Sequence, residues 1–98
     1  MDARTNDSTE RLVRVFEITN KRGLHARAAH RLVLTIEQFD AEVTVSKDGS
    51  TVVGTSIMGL LMLCASKGTS VEVAASGKES DTAMDAVATL IGNRFGED

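Results

Sequence analysis

Gly23-Leu24-His25-Ala26-Arg27-Ala28-Ala29 is the stretch across which the hydrophobic period of the chain changes. Before it, residues 12–19 alternate. Leu12, Phe16 and Ile18 share one parity and Val13, Val15 and Glu17 take the other, which is the pattern of a strand. After it, Ala29, Leu32, Val33 and Ile36 fall at i, i+3, i+4 and i+7, one face of a helix expected from His25 to about Gln38. Gly23 gives the chain the freedom to turn sharply. His25 stands where the first helical residues begin. The first N–H groups of a helix have no internal partner, and the dipole makes that end partly positive. An anion on or beside His25 would meet those groups, with Arg27 close by and Arg22 contributing more weakly.

Outward from this point the strand and helix periods keep switching. Arg14 interrupts the inward parity of the first strand, which fits a sheet edge. Residues 42–46 form a second strand, with Ala41, Val43 and Val45 pointing one way. Lys47-Asp48-Gly49 is a hairpin signal, because Asp-Gly tolerates the positive φ such turns need, and residues 50–54 return as a third strand. Thr55 or Ser56 can cap the next helix. That helix is apolar nearly all round but only about two turns long. Leu60 and Leu63 are assigned to the core, and Ile57, Met58 and Leu61 to a more exposed interaction patch. Residues 70–76 alternate again, with Val71, Val73 and Ala75 opposite Glu72 and Ala74. A last helix, about residues 80–94, places Ala83, Val87, Leu90, Ile91 and Arg94 at helical spacing with Met84 beside them. Residues 95–98 are expected to fray. The order is β-α-β-β-α-β-α. Each strand has one apolar face, so the helices must all pack on one side of a four-stranded sheet, an α+β two-layer sandwich.

The 98 residues suffice for one domain with one modest core. The expected organisation is a polar, disordered leader over residues 1–10 and a single domain over residues 11–98. Aromatics are 3%, with no Trp and no Tyr, so the core is built from aliphatic side chains and Met, and stacking platforms for single-stranded nucleic acid are missing. A net charge of -3 speaks against a broad DNA-binding surface. No run approaches the ~20 apolar residues of a membrane span, and the N-terminus has no apolar signal segment, so a cytoplasmic protein is expected. Cys64 is the one cysteine and cannot make an internal disulfide; the helix-like pattern around it predicts a buried small hydrophobe.

The chemistry concentrates at two helix starts. A neutral imidazole with a reference pKa of ~6.5 is a usable nucleophile at cellular pH, and attack on phosphorus gives a phosphoimidazole that can pass the group on. With His25 as N-cap, the amides of Ala26 and Arg27 would face the phosphoryl oxygens, and the Arg27 guanidinium would neutralise the transferred charge. A histidine that merely caps a helix fits the same spacing. His30, five residues on, lies about 140° round the helix from His25, so the two cannot share a face as a metal pair would. It reads as a surface residue. Ser56, as an N-cap, needs no further role, yet a phosphate added there would be stabilised by the helix end and would set a dianion beside the apolar patch. No P-loop, dinucleotide fingerprint, hydrolytic triad or metal-ligand cluster is spaced in the chain, so neither a cofactor nor a metal is expected.

The motif at residues 23–29, the Asp48-Gly49 turn, Thr55-Ser56-Ile57-Met58-Gly59-Leu60, and Gly68-Thr69 together resemble the HPr family. Its members are the histidine-containing phosphocarriers of the bacterial phosphoenolpyruvate-dependent phosphotransferase system. The resemblance runs over about residues 12–95 without an evident insertion. It implies an open-faced β-sandwich with sheet order 1-4-2-3 and three helices on one face. It implies that enzyme I would phosphorylate Nδ1 of His25, that Arg27 would contact the phosphoryl group, and that an enzyme II A domain would receive it. Such a protein is a phosphotransfer intermediate, expected as a monomer, rather than a stand-alone enzyme. Where a cell has the HPr kinase/phosphorylase, Ser56 would be its regulatory target, and Ile57, Met58 and Leu61 match the apolar docking surface. Two positions depart from the family pattern. Ala28 stands where Pro is usual, in the first helical turn where a missing N–H costs little. His30 replaces a small residue. Two other readings remain open on sequence alone. One is an HPr-like regulatory binding module, in a nitrogen-related branch or docking a partner, in which phosphorylation is a signal. The other is a small ligand-binding α+β domain.

Overall fold

The structure, a computed structural model, describes residues 11–97. The expected leader lies outside the described residues. Four strands, β1 (Arg11–Glu17), β2 (Glu42–Lys47), β3 (Ser50–Val53) and β4 (Ser70–Ser76), form one antiparallel sheet in the order β1-β4-β2-β3. Three helices, α1 (Ala26–Ile36), α2 (Ile57–Met62) and α3 (Ser80–Gly92), cover one face of it. The two-layer sandwich read from the alternation is thus the fold observed, in the open-faced form and strand order that the resemblance implies, with β1 at an edge. There Arg14 places its guanidinium 5.0 Å from the centre of the Phe16 ring.

The hairpin between β2 and β3 closes on two residues. Asp48 and Gly49 both have positive φ, 51° and 85°, and Lys47 pairs with Ser50 directly across the turn. That is the backbone twist antiparallel strands favour. The core is made by Val43, Val45, Val71 and Val73 of the sheet against Ala29, Leu32, Val33, Ile36, Leu60, Ala83, Met84, Val87 and Ile91 of the helices. On the open face, Val13, Ala74, Thr44 and Val53 form one row across the strands. Ala74, of outward parity, is nevertheless buried, because a methyl group in the middle of that row is covered by its neighbours.

Three expectations are corrected. The segment after α3 does not fray. Arg94–Gly96 forms a 3-10 turn, and Phe95 is fully buried in the core. Arg94 and Phe95 both have φ of 56°, a conformation that costs a non-glycine residue roughly 1–2 kcal/mol. Burial of a Phe side chain contributes about 1.5–3 kcal/mol. A bond from the Arg31 guanidinium to the Phe95 carbonyl adds a charge-assisted anchor worth about 1.5–3 kcal/mol. Gains and costs so ordered favour the folded turn. Cys64 is not buried either. α2 stops at Met62 and Leu63 caps it, so Cys64, at φ 54°, turns out to solvent. On α2 the exposed apolar residues are Ile57, Met58 and Met62, whereas Leu61 is half-buried against the core. Met58 and Met62 are four residues apart and share the side opposite the fully buried Leu60.

Candidate functional site

His25 is held by a loop stitched to the turn before β4. Ile18 donates its N–H to Thr69 O at 2.8 Å, Gly68 to Ile18 O at 2.7 Å, and Leu24 to Ala65 O at 2.8 Å. Gly23 is required at the crossing. Its φ is 69°, and a Cβ built there would lie 2.5 Å from Ala65 O and 2.8 Å from Ser66 Cα, both backbone atoms that cannot swing aside. The chain then extends through His25, at φ -81° and ψ -179°, and enters α1 with His25 as N-cap. Its carbonyl accepts the Ala29 N–H at 2.8 Å, but its ring makes no capping bond. Among the described residues, the N–H groups of Ala26, Arg27 and Ala28 therefore meet no backbone acceptor. Ala28 itself is fully buried on the inner side of α1.

The imidazole is bonded elsewhere. Its Nε2 meets Oε2 of Glu97, 72 residues away in sequence. The other carboxylate oxygen, Oε1, accepts from Nδ2 of Asn20 at 3.0 Å. Asn20 is fully buried, and its Nδ2 also donates to Gly23 O at 2.6 Å. Two acceptors around one nitrogen fix the orientation of that amide and leave its Oδ1 without a partner among the described residues. The Asn20 bond, above all, holds the Glu97 carboxyl below its ordinary value; burial opposes the shift, and the contact and charge of His25 and the charge of Arg22 assist it. Lys21, Arg22, His25, Arg27 and Glu97 line a cleft of about 190 Å³. A second depression of about 230 Å³, lined by Arg22, Leu24, His25, Cys64, Ala65 and Ser66, meets the first at His25. A roomier depression, about 360 Å³, lies on the open sheet face around Lys47 and Gly49 and is lined by no histidine.

Of the residues singled out in the sequence, His25, Ala26 and Arg27 fall together at the start of α1. His30 is exposed further along that helix. Ser56 caps α2, its Oγ accepting the Gly59 N–H at 3.0 Å. The far end of α2 reaches the His25 depression through Cys64. Six residues at 1.5 Å rise put Ser56 about 9 Å back from that end. Sequence reasoning missed Glu97 and Asn20. Asn20 lies in the loop between β1 and α1, where the sequence pattern carries no signal for it, and the one signal that the tail folds back is Phe95, one of three aromatic residues in the chain.

The matching family is described as PTS HPr component, phosphorylation site, and it covers residues 12–93. A phosphocarrier protein HPr of Neisseria meningitidis serogroup A is 51% identical over 81 residues, 83% of this chain and 91% of that protein. A phosphocarrier protein NPr of Escherichia coli is 43% identical over 83 residues, 84% of this chain and 92% of that one. The crystal structure of HPr-C-His from Thermoanaerobacter tengcongensis superposes with a TM-score of 0.85 at 39% identity, covering 89% of this chain and 98% of that one. The fold and these relatives define a small phosphoryl carrier. The chain belongs to the HPr family of phosphocarrier proteins of the phosphotransferase system. No helix among the described residues is long and apolar enough to cross a membrane.

Proposed function

We propose that His25 accepts a phosphoryl group from enzyme I, with phosphoenolpyruvate as its source, and passes it to an enzyme II A component. The observation that carries this reading is the position of His25: N-cap of α1, in a cleft lined by Lys21, Arg22 and Arg27, beside three amides with no backbone acceptor. The ring is the nucleophile, the Ala26 amide a donor to the phosphoryl oxygens, and Arg27 the cation that offsets their charge. A carrier has no bond of its own to break beyond the one it forms, so positioning and charge compensation suffice. Ile57 and Met58, joined by Met62 and flanked by Leu61, form the docking surface at the adjoining helix. Ser56 at the start of that surface is the regulatory site, a substrate for an HPr kinase/phosphorylase.

Incubation with enzyme I and phosphoenolpyruvate is expected to add one acid-labile phosphate to the wild-type chain and none to His25→Ala, as read by intact-mass spectrometry under non-acidic conditions. Labelling that persists in His25→Ala contradicts the assignment.

A further inference from the structure

We propose that Glu97 is a positioning residue for the phosphoryl transfer: it fixes the proton of His25 on Nε2 and so presents Nδ1 as the nucleophilic atom. The inference rests on the reading of His25 as phosphoryl acceptor. An ionised carboxylate has only acceptors to offer. Both oxygens of Glu97 are committed, Oε1 to the Asn20 amide and Oε2 to the ring, so Nε2 must be the donor. In the neutral ring the lone pair is then on Nδ1, which makes no hydrogen bond among the described residues. Glu97 is itself held in place. Its N–H donates to Arg94 O at 2.9 Å, Phe95 plugs the core two residues before it, and Arg31 grips the Phe95 carbonyl. The buried Asn20 fixes its far oxygen, and the same Asn20 side chain holds the Gly23 carbonyl two residues before His25. One buried amide thus ties the ring's loop to the ring's acceptor.

The step balances without moving a proton. The Nδ1 lone pair attacks phosphorus, the N–P bond forms, and the bond from phosphorus to the donor's leaving atom breaks with its electron pair. The ring keeps its proton on Nε2 and becomes cationic, directly opposite the Glu97 carboxylate. When the group is passed on, the N–P pair returns to Nδ1 and the ring is neutral again.

Glu97→Gln separates this role from a structural one. The glutamine oxygen keeps the Asn20 bond, which leaves its NH2 to face Nε2. That nitrogen must then accept, and the proton moves to Nδ1. A residue that only braces the tail would tolerate this near-isosteric change better than Glu97→Ala. A tautomer-setting residue makes glutamine the worse variant, and a wrongly protonated imidazole is a severe defect in phosphoryl as in acyl transfer. Long-range 1H–15N spectra of the histidine rings report the proton directly, with exposed His30 as internal control. The wild type is expected to show a protonated Nε2 and an unprotonated Nδ1 at His25. Glu97→Gln should shift towards the Nδ1–H form and take phosphate from enzyme I about tenfold more slowly or worse, and at least as slowly as Glu97→Ala. The backbone amide spectrum verifies that each variant is folded. A wild-type ring pattern in Glu97→Gln overturns the proposal whatever its rate, as does phosphorylation at the wild-type rate. Because the ring spectrum needs no phosphoryl donor, it judges Glu97 even if His25 of the wild type takes no phosphate.

Discussion

At the scale of single residues, the site is a contest over where charge and protons sit. Glu97 is the only group among the described residues with a clear shift, and the shift is downward, owing first to the Asn20 amide. A carboxylate whose folded pKa lies below its unfolded value contributes stability that is fully present above the unfolded range, near 4.5. That contribution is lost as pH falls through the lowered folded value. Urea unfolding followed from neutral pH down through the carboxylate range should therefore show wild type losing more stability than Glu97→Gln. Parallel losses in the two chains would mean that the ionised form of Glu97 adds nothing to folding beyond what glutamine supplies. None of this was legible from the residues near His25. The local pattern of glycine, histidine and a helix period places the proposed nucleophile, but the partner of the ring is 72 positions away and becomes visible only when the sheet and helices bring it round.

At the scale of elements, the strands and the two longer helices were readable because their apolar residues repeat with the periods that burial imposes. The corrections fall where an element is shorter than its period can reveal. α2 has six residues, so the pattern did not show that it ends before Cys64, nor that Met62 rather than Leu61 is its outward residue. The turn at Arg94–Gly96 has three residues and two left-handed non-glycines, and tertiary contacts, the burial of Phe95 and the Arg31 bond to its carbonyl, make it stable. Phe95→Ala should accordingly cost about 3–5 kcal/mol in denaturant unfolding, since the cavity adds to the lost transfer energy. It should also release Glu97, so that the His25 ring loses its fixed proton position. A loss well under 1 kcal/mol would show that the turn is not anchored by the core.

Across the whole molecule, the proposed functional surface lies at the helix-covered layer, where α1 and α2 present the cleft around His25 beside an apolar ridge. Met58 and Met62 are 69% and 76% exposed, values that leave them free to meet a partner. A charge at Ser56 sits about 9 Å from the end of α2 nearest His25. At physiological salt that is roughly one screening length, so the effect we propose for it would run through the apolar ridge more than through His25 itself. Ser56→Asp isolates that effect, because aspartate still caps a helix. Phosphorylation by enzyme I should slow while thermal stability stays within about 0.5 kcal/mol of wild type; an unchanged rate removes Ser56 from the regulatory reading.

The most direct test is to phosphorylate the chain with enzyme I and phosphoenolpyruvate and, at alkaline pH, record 31P and long-range 1H–15N spectra of the product. One phosphoryl group on Nδ1 of His25 is the predicted result. A phosphoryl group on Nε2, or on any other residue, would contradict the account.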